Sequence, residues 1–291
     1  MSTPPRAALA LFAPGLFVLL WSTGFIGGKL GLPYAEPLTF LLIRMVLTAL
    51  LLGAVALVLR APWPRTAGEA GRIALAGLLV HGTYLGGVFS AISQGLPAGT
   101  VALIVGLQPL LTAIAAGPLL GERLTGRQWT GFALGLVGVA LVVWEKLALR
   151  SGLGWALALA VVALLGITAG TLYQKRHCAG MDLRSGTAIQ YAASALLFAI
   201  LAPLTETMQV RWTGEFVFAL GWLCLVLSVG AVFLLYFLIR QGAASRVASL
   251  FYLTPPTTAL MAWALFGETL GWLALAGMGV TAAGVALVLK R

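Results

Sequence analysis

A stretch of 45 residues occurs twice in this chain, and the duplication limits the folds open to it. Ala98 to Val142 reads AGTVALIVGLQPLLTAIAAGPLLGERLTGRQWTGFALGLVGVALV. Moved by 146 positions, Ala244 to Val288 reads ASRVASLFYLTPPTTALMAWALFGETLGWLALAGMGVTAAGVALV, with 18 of 45 positions identical and no gap. Two unrelated Leu- and Ala-rich segments would agree at roughly a tenth to a sixth of positions, so the match marks an internal repeat. Pro109 falls on Pro255, Gly121-Glu122 on Gly267-Glu268, Gly131 on Gly277 and Gly138 on Gly284. The interval is half the chain, which reads as two tandem copies: 1–146 and 147–291.

What surrounds the repeat decides its setting. Only 9% of the residues are charged, 60% are hydrophobic and the mean hydropathy is +1.02. A soluble domain carries about a quarter charged residues, so this chain cannot solvate its surface and is an integral membrane protein. The apolar runs are continuous and show no period-2 alternation, which excludes a β-barrel. An all-α membrane fold is expected, with ten spans near 9–30, 36–59, 72–94, 98–119, 127–144, 153–174, 184–204, 214–239, 245–266 and 271–289. The N-terminal run continues past any plausible signal-peptide cleavage site and reads as a retained first helix.

The net charge of +10 comes from loops rather than from a nucleic-acid face. With a cytoplasmic N-terminus, 13 of the 18 Lys and Arg fall on the cytoplasmic side, so both termini are expected there. Each copy holds five spans, an odd number, so the second enters the membrane inverted. A five-plus-five inverted repeat is a transporter architecture, in which two related units expose a central site to either side in turn. Gly24/Gly28, Gly82/Gly86, Gly131/Gly135 and Gly166/Gly170 are small residues four apart that permit close helix packing. Cys178 and Cys224 form no disulfide framework, and two histidines cannot build a metal cluster.

Ten spans, the repeated Pro…Gly-Glu signature, the early Trp21-Ser22-Thr23-Gly24-Phe25 and Arg44 together resemble the drug/metabolite transporter superfamily, over the whole chain. Within it the pattern is similar to the EamA-type exporters, and more narrowly to the YddG-type aromatic amino-acid exporters of bacterial inner membranes. The resemblance implies efflux of amino acids (aromatic ones, Met or Thr) or of related small metabolites.

Ionisable groups at membrane depth are expensive and mark function. All eight acids lie in loops or at helix ends, which argues against a proton-coupled exporter of cationic drugs. Arg44 is the deepest fixed charge, either a partner for a substrate carboxylate or an interhelical strut; its repeat mate is Gln190. Lys29 and its mate Lys175 end their helices, as dipole-stabilising cations or as gate residues at the two mouths. His81 and Tyr84 share a face of segment 3, and His81 is the one deep side chain that titrates near neutrality. Pro109 and Pro255-Pro256 sit near the middles of segments 4 and 9. Each frees a carbonyl four residues back, Val105 and Phe251, beside Gln108 and Tyr252, as a hinge or a packing kink. Tyr173, Trp21 and Trp263 complete the substrate-lining candidates, whereas Trp155 reads as an interfacial belt residue. Segments 5 and 10 read as scaffold or dimer faces, and Glu122 and Glu268 as helix-end caps.

An enzyme would need a clustered nucleophile, an acid pair or a metal at depth, and the sequence holds none. The expectation is a non-enzymatic transporter, without cofactor or metal, whose partners are a small-molecule substrate, the lipid bilayer and at most a second copy of itself. Carriage of nucleotide sugars, other phosphorylated metabolites or drugs, and passive channel conduction, are the alternatives.

Overall fold

A computed structural model of the protein describes residues 5–120, 125–149, 152–231, 234, 238, 251–269 and 271–289; Glu122 lies outside them. The described residues form helices and turns, with one isolated antiparallel bridge between Ala35 and Val210. Helices dominate for the reason lipid imposes: each backbone group must find its partner within the segment.

In chain order the helices are α1 (Pro5–Gly31), α2 (Pro37–Val58), α3 (Ala67–Gly77), α4 (Tyr84–Ser93), α5 (Ala98–Val105), α6 (Gln108–Leu120), α7 (Gly126–Leu149), α8 (Gly154–His177), α9 (Leu183–Thr205), α10 (Gly214–Gly221), α11 (Thr254–Phe266) and α12 (Trp272–Leu289). Six stretches are long and apolar enough to cross a membrane: Phe12–Gly31, Pro37–Val58, Ala67–Ser93, Gly154–His177, Leu183–Thr205 and Gly214–Ala231. Ala98–Thr112, Trp129–Val142 and Trp272–Gly284 are shorter apolar helices.

Two of these stretches are not uniform α-helix. Leu78–Thr83, between α3 and α4, and Trp222–Ala231, after α10, are π-helical. Moved by the repeat interval, 78–83 becomes 224–229, inside the second π segment. Each holds surplus backbone within a helix, a feature concentrated at functional sites. Thr83 Oγ1 donates to the Leu78 carbonyl at 3.2 Å within the first segment.

The expected mid-helix kink at Pro109 is a full break. The first helix stops at Val105, Gly106 and Leu107 turn, and α6 restarts at Gln108 with Pro109 in its first turn, where a missing N–H costs little. Pro255 and Pro256 likewise open α11, after a 3₁₀ turn at Phe251–Leu253.

The chain forms two compact units, and neither is one half of the sequence. Unit 1 contains Met1–Gly27, Pro97–Leu153 and Leu225–Arg291; unit 2 contains Gly28–Leu96 and Gly154–Cys224. In unit 1, α7 and α12 pack glycine to glycine. A Cβ on Gly284 would sit 2.5 Å from the Gly131 carbonyl and 2.7 Å from the Gly135 nitrogen, and Gly138 and Gly277 are equally closed against one another. The small-residue faces of segments 5 and 10 are therefore consumed inside the molecule as scaffold. In the same unit, a Cβ on Gly99 would meet the Ala259 backbone at 2.9 Å, and one on Gly106 would meet the Pro255 ring at 2.8 Å, so the break in segment 4 abuts the start of α11. Gly267 ends α11 in the left-handed conformation, φ +65°, and the next residue, Glu268, accepts from the Ala98 N–H at 3.0 Å, at the start of α5. The repeated Gly-Glu pair thus has a local cause in its second copy: a helix stop followed by a cap for a different helix.

Unit 2 is built on the antiparallel pair α2 and α9, with α8 packed on the α3–α4 span through Gly87, Gly166 and Gly170. Phe40, Phe89 and Phe216 pack edge-to-face or tilted at centroid distances of 5.1–5.4 Å in its core.

Candidate functional site

Unit 2 gathers three of the expected site residues in its interior. Arg44, on the inner face of α2, is 2% exposed. Its guanidinium carbon lies 6.0 Å from the Phe89 ring centre, a cation–π contact, and its Nε has no hydrogen-bond partner. Among the described residues no carboxylate pairs with it; the ion pair they contain is Arg184 with Asp182. His81 and Tyr84 lie within electrostatic range of Arg44. His81 stands in the first π segment, stacked on Tyr191 of α9 at 4.2 Å and 23°. Gln190 precedes Tyr191 on α9, and its amide donates to Gln174 at 3.0 Å. Cys224, in the second π segment, donates weakly to the Arg44 carbonyl at 3.8 Å.

A buried cation without a carboxylate partner among the described residues, near an imidazole and a phenol ring, can bind an anion such as a carboxylate, with the flat apolar surface of Phe89 beside it. Sequence reasoning missed Tyr191 and saw Gln190 only as a mismatch in the repeat. Tyr191, one residue after Gln190 on α9, carried no spacing signal linking it to His81.

The other expected residues stand apart from this cluster. Tyr173 and Lys175 end α8: Tyr173 packs on Ile73, Ala76 and Cys178, with its ring 4.6 Å from that of His177, and Lys175 is exposed. Lys29 lies in the last turn of α1. In unit 1, Trp21 joins Phe17 and Phe251 in an aromatic cluster with centroids 5.0–5.4 Å apart, and Ser22 donates to the Val18 carbonyl at 2.8 Å and the Thr254 carbonyl at 3.4 Å. Pro255 is buried beside this cluster, Pro256 and Gln108 are half-buried, and Trp263 is 57% exposed on α11, outside it. Tyr252 lies in the 3₁₀ turn, its side chain outside the described residues.

At one end of unit 2 the connection α1–α2 is stitched to the connection α9–α10. Glu206, which ends α9, accepts from Leu38 N, Thr39 N and Thr39 Oγ1, each at 2.7 Å, and so caps α2. Glu36, which precedes α2, accepts from Thr207 N at 2.8 Å and Thr207 Oγ1 at 2.7 Å. Arg211 donates through its N–H to the Tyr34 carbonyl at 2.9 Å and stacks on the Tyr34 ring, whose hydroxyl donates to Glu215. That hydrogen bond holds the Tyr34 phenol above its ordinary pKa. Here a cleft of about 810 Å³ opens, lined by Glu36, Ser90, Gln94, Trp155, Glu206 and Arg211 among others. No residue expected from the sequence to bind substrate lines it. At the opposite end of the pair, Asp182 caps α9 and is held below the usual carboxylate range by its hydrogen bond to Arg184.

Comparison with known proteins gives this arrangement its setting. The EamA-like transporter family model matches twice, at residues 8–144 and 154–290. The chain belongs to the EamA-like transporter family. The inner membrane transporter YedA of Escherichia coli is 27% identical over 97% of this chain and 92% of its own. A protein of Streptantibioticus cattleyicolor named as a probable terminal-alkyne amino-acid exporter is 28% identical over 98% of this chain and 95% of its own. A solved crystal structure shares the fold with a TM-score of 0.65 at 20% identity, over 96% of each chain. The protein is a multi-span membrane transporter of this family, as the sequence resemblance implied.

Proposed function

We propose that the protein is a secondary transporter that exports amino acids, aromatic ones, Met or Thr among them, across the bacterial inner membrane by alternating access. The reading takes ten spanning helices as two five-helix repeats, 1–146 and 147–291, inverted relative to one another, with both termini cytoplasmic. The odd number of spans per copy and the 13 basic residues on one side support it. The observation that carries the substrate class is Arg44: a guanidinium 2% exposed, without a carboxylate among the described residues, next to His81 and Tyr84. In this reading Arg44 receives the substrate carboxylate, while His81, Tyr84, Tyr191 and Tyr173 line its path in unit 2. Trp21, Gln108, Tyr252 and Trp263 line it in unit 1. Pro109, Pro255 and Pro256 are hinges, and Lys29 and Lys175 close the mouths.

The test is counterflow in proteoliposomes with a panel of amino acids, their decarboxylated amines, a nucleotide sugar and S-adenosylmethionine, with and without a pH gradient. Saturable exchange of amino acids, lost in Arg44→Gln but not of their amines, is expected. Absence of any amino-acid exchange sinks the assignment. Exchange of the nucleotide sugar alone favours a phosphorylated-metabolite carrier, and unsaturable flux favours a channel.

A further inference from the structure

The α2–α9 pair is tied at both ends at once. At one end Glu206 and Glu36 cap across to Leu38, Thr39 and Thr207, and Ala35 bridges Val210. At the other, Ser185 in the first turn of α9 donates its hydroxyl to the Pro62 carbonyl in the connection that follows α2. Thr39 and Ser185 are 146 residues apart, the repeat interval, so the two ties are counterparts: a first-turn hydroxyl on each helix donates into the connection that leaves the other. Between the ties, the packing follows the same symmetry. Ser194 of α9 donates to the Gly77 carbonyl at 3.1 Å, where the first π segment begins, and a Cβ on Gly77 would meet the Gln190 side chain at 2.7 Å. Cys224, in the second π segment, bonds the Arg44 carbonyl of α2.

Alternating access opens one mouth while closing the other, so a helix pair that forms the gates is tied at one end in any one state. We propose that α2 and α9, with the connections 32–36, 59–66, 178–182 and 206–213, are a fixed spine that keeps both ties through the transport cycle. Opening then falls to the helices around it. This rests on the alternating-access reading above. It places Arg44 and Gln190, the matched pair on the two spine helices, at constant separation while the surrounding elements move.

The test is covalent closure of both ties in the full-length protein. Ala35→Cys with Val210→Cys joins the first by a disulfide. Pro62→Cys with Ser185→Cys is joined by a short bis-methanethiosulfonate, which forms a disulfide with each thiolate, releases two methanesulfinates and is reversed by reduction. Intact-protein mass reads whether both links form in one molecule, independently of any substrate. Expected are both links in the same molecule, and counterflow in the doubly linked protein at no less than half the rate of the reduced one. Transport abolished by either link and restored by its reversal overturns the spine, as does a folded protein with the four added cysteines, Cys178 and Cys224 replaced by Ser, in which the links exclude one another or one never forms. If the wild-type protein exchanges no amino acid, the functional assignment falls, while the mass measurement still decides whether the two ties coexist.

Discussion

Glu206→Ala removes three acceptor contacts from the start of α2, two of them backbone N–H groups that the helix cannot satisfy itself. Losing a capping side chain costs about 0.5–2 kcal/mol, and a hydrogen bond to a charged group contributes about 1.5–3 kcal/mol when buried. Glu206 is only half-buried, so water recovers part of the loss, and a net cost of about 2 kcal/mol follows. For a chain of 291 residues, at about 2.1 cal/mol/K of unfolding entropy per residue, that corresponds to a fall in Tm of about 3 °C. Cys178 and Cys224 are free and buried, so their reaction with a thiol-sensitive fluorophore during heating in detergent reports unfolding without an introduced cysteine. Glu206→Gln keeps one acceptor oxygen and should lose about half as much. Glu69→Ala, which removes a single exposed hydrogen bond to Arg65 N, is the control and should shift little. A Glu206→Ala protein melting within about 1 °C of wild type would refute the argument that this carboxylate caps α2.

Further expectations follow from the geometry. Gly267→Ala should cost about 1 kcal/mol, read by the same melt, because φ is +65° and no atom lies within 4 Å of an added Cβ; a normal melting point would mean that α11 ends differently. Gly99→Leu should cost more than 2 kcal/mol or abolish the folded peak in size-exclusion chromatography, since its Cβ alone would sit 2.9 Å from the Ala259 backbone. The phenol of Tyr34 is raised by its bond to Glu215, so its contribution is present below about pH 10, the unfolded value, and is lost as pH rises through the higher folded value. Phenolate absorbance, taken as the difference from Tyr34→Phe, should titrate above that of free tyrosine and return toward it in Glu215→Gln.

Much of the helical framework was legible because lipid leaves the backbone few choices: continuous apolar runs had to be helices, and Thr66, Asp182 and Thr213 cap the starts of three of them. The π segments were not legible. An extra residue in a helical turn leaves hydrophobic composition unchanged, so Leu78–Thr83 reads like the rest of its run. Pro109 gave the place of the discontinuity but not its extent, because Gly106, closed against Pro255, shares in the break. Within the site, Arg44, His81 and Tyr84 stood out as polar groups at depth. Tyr191 and the reciprocal carboxylates Glu36 and Glu206 did not, since their roles depend on partners more than 100 residues away.

Because each compact unit takes helices from both halves of the chain, synthesis and folding cannot run in step. When the first half of the chain has left the ribosome, α2, α3 and α4 lack α8 and α9, and α7 lacks the glycine face of α12. The polar face carrying Arg44 and His81 must therefore wait in the bilayer, half-assembled, until the second copy arrives. A chain truncated after its first half leaves that face without the α8 and α9 cover it has in the folded protein.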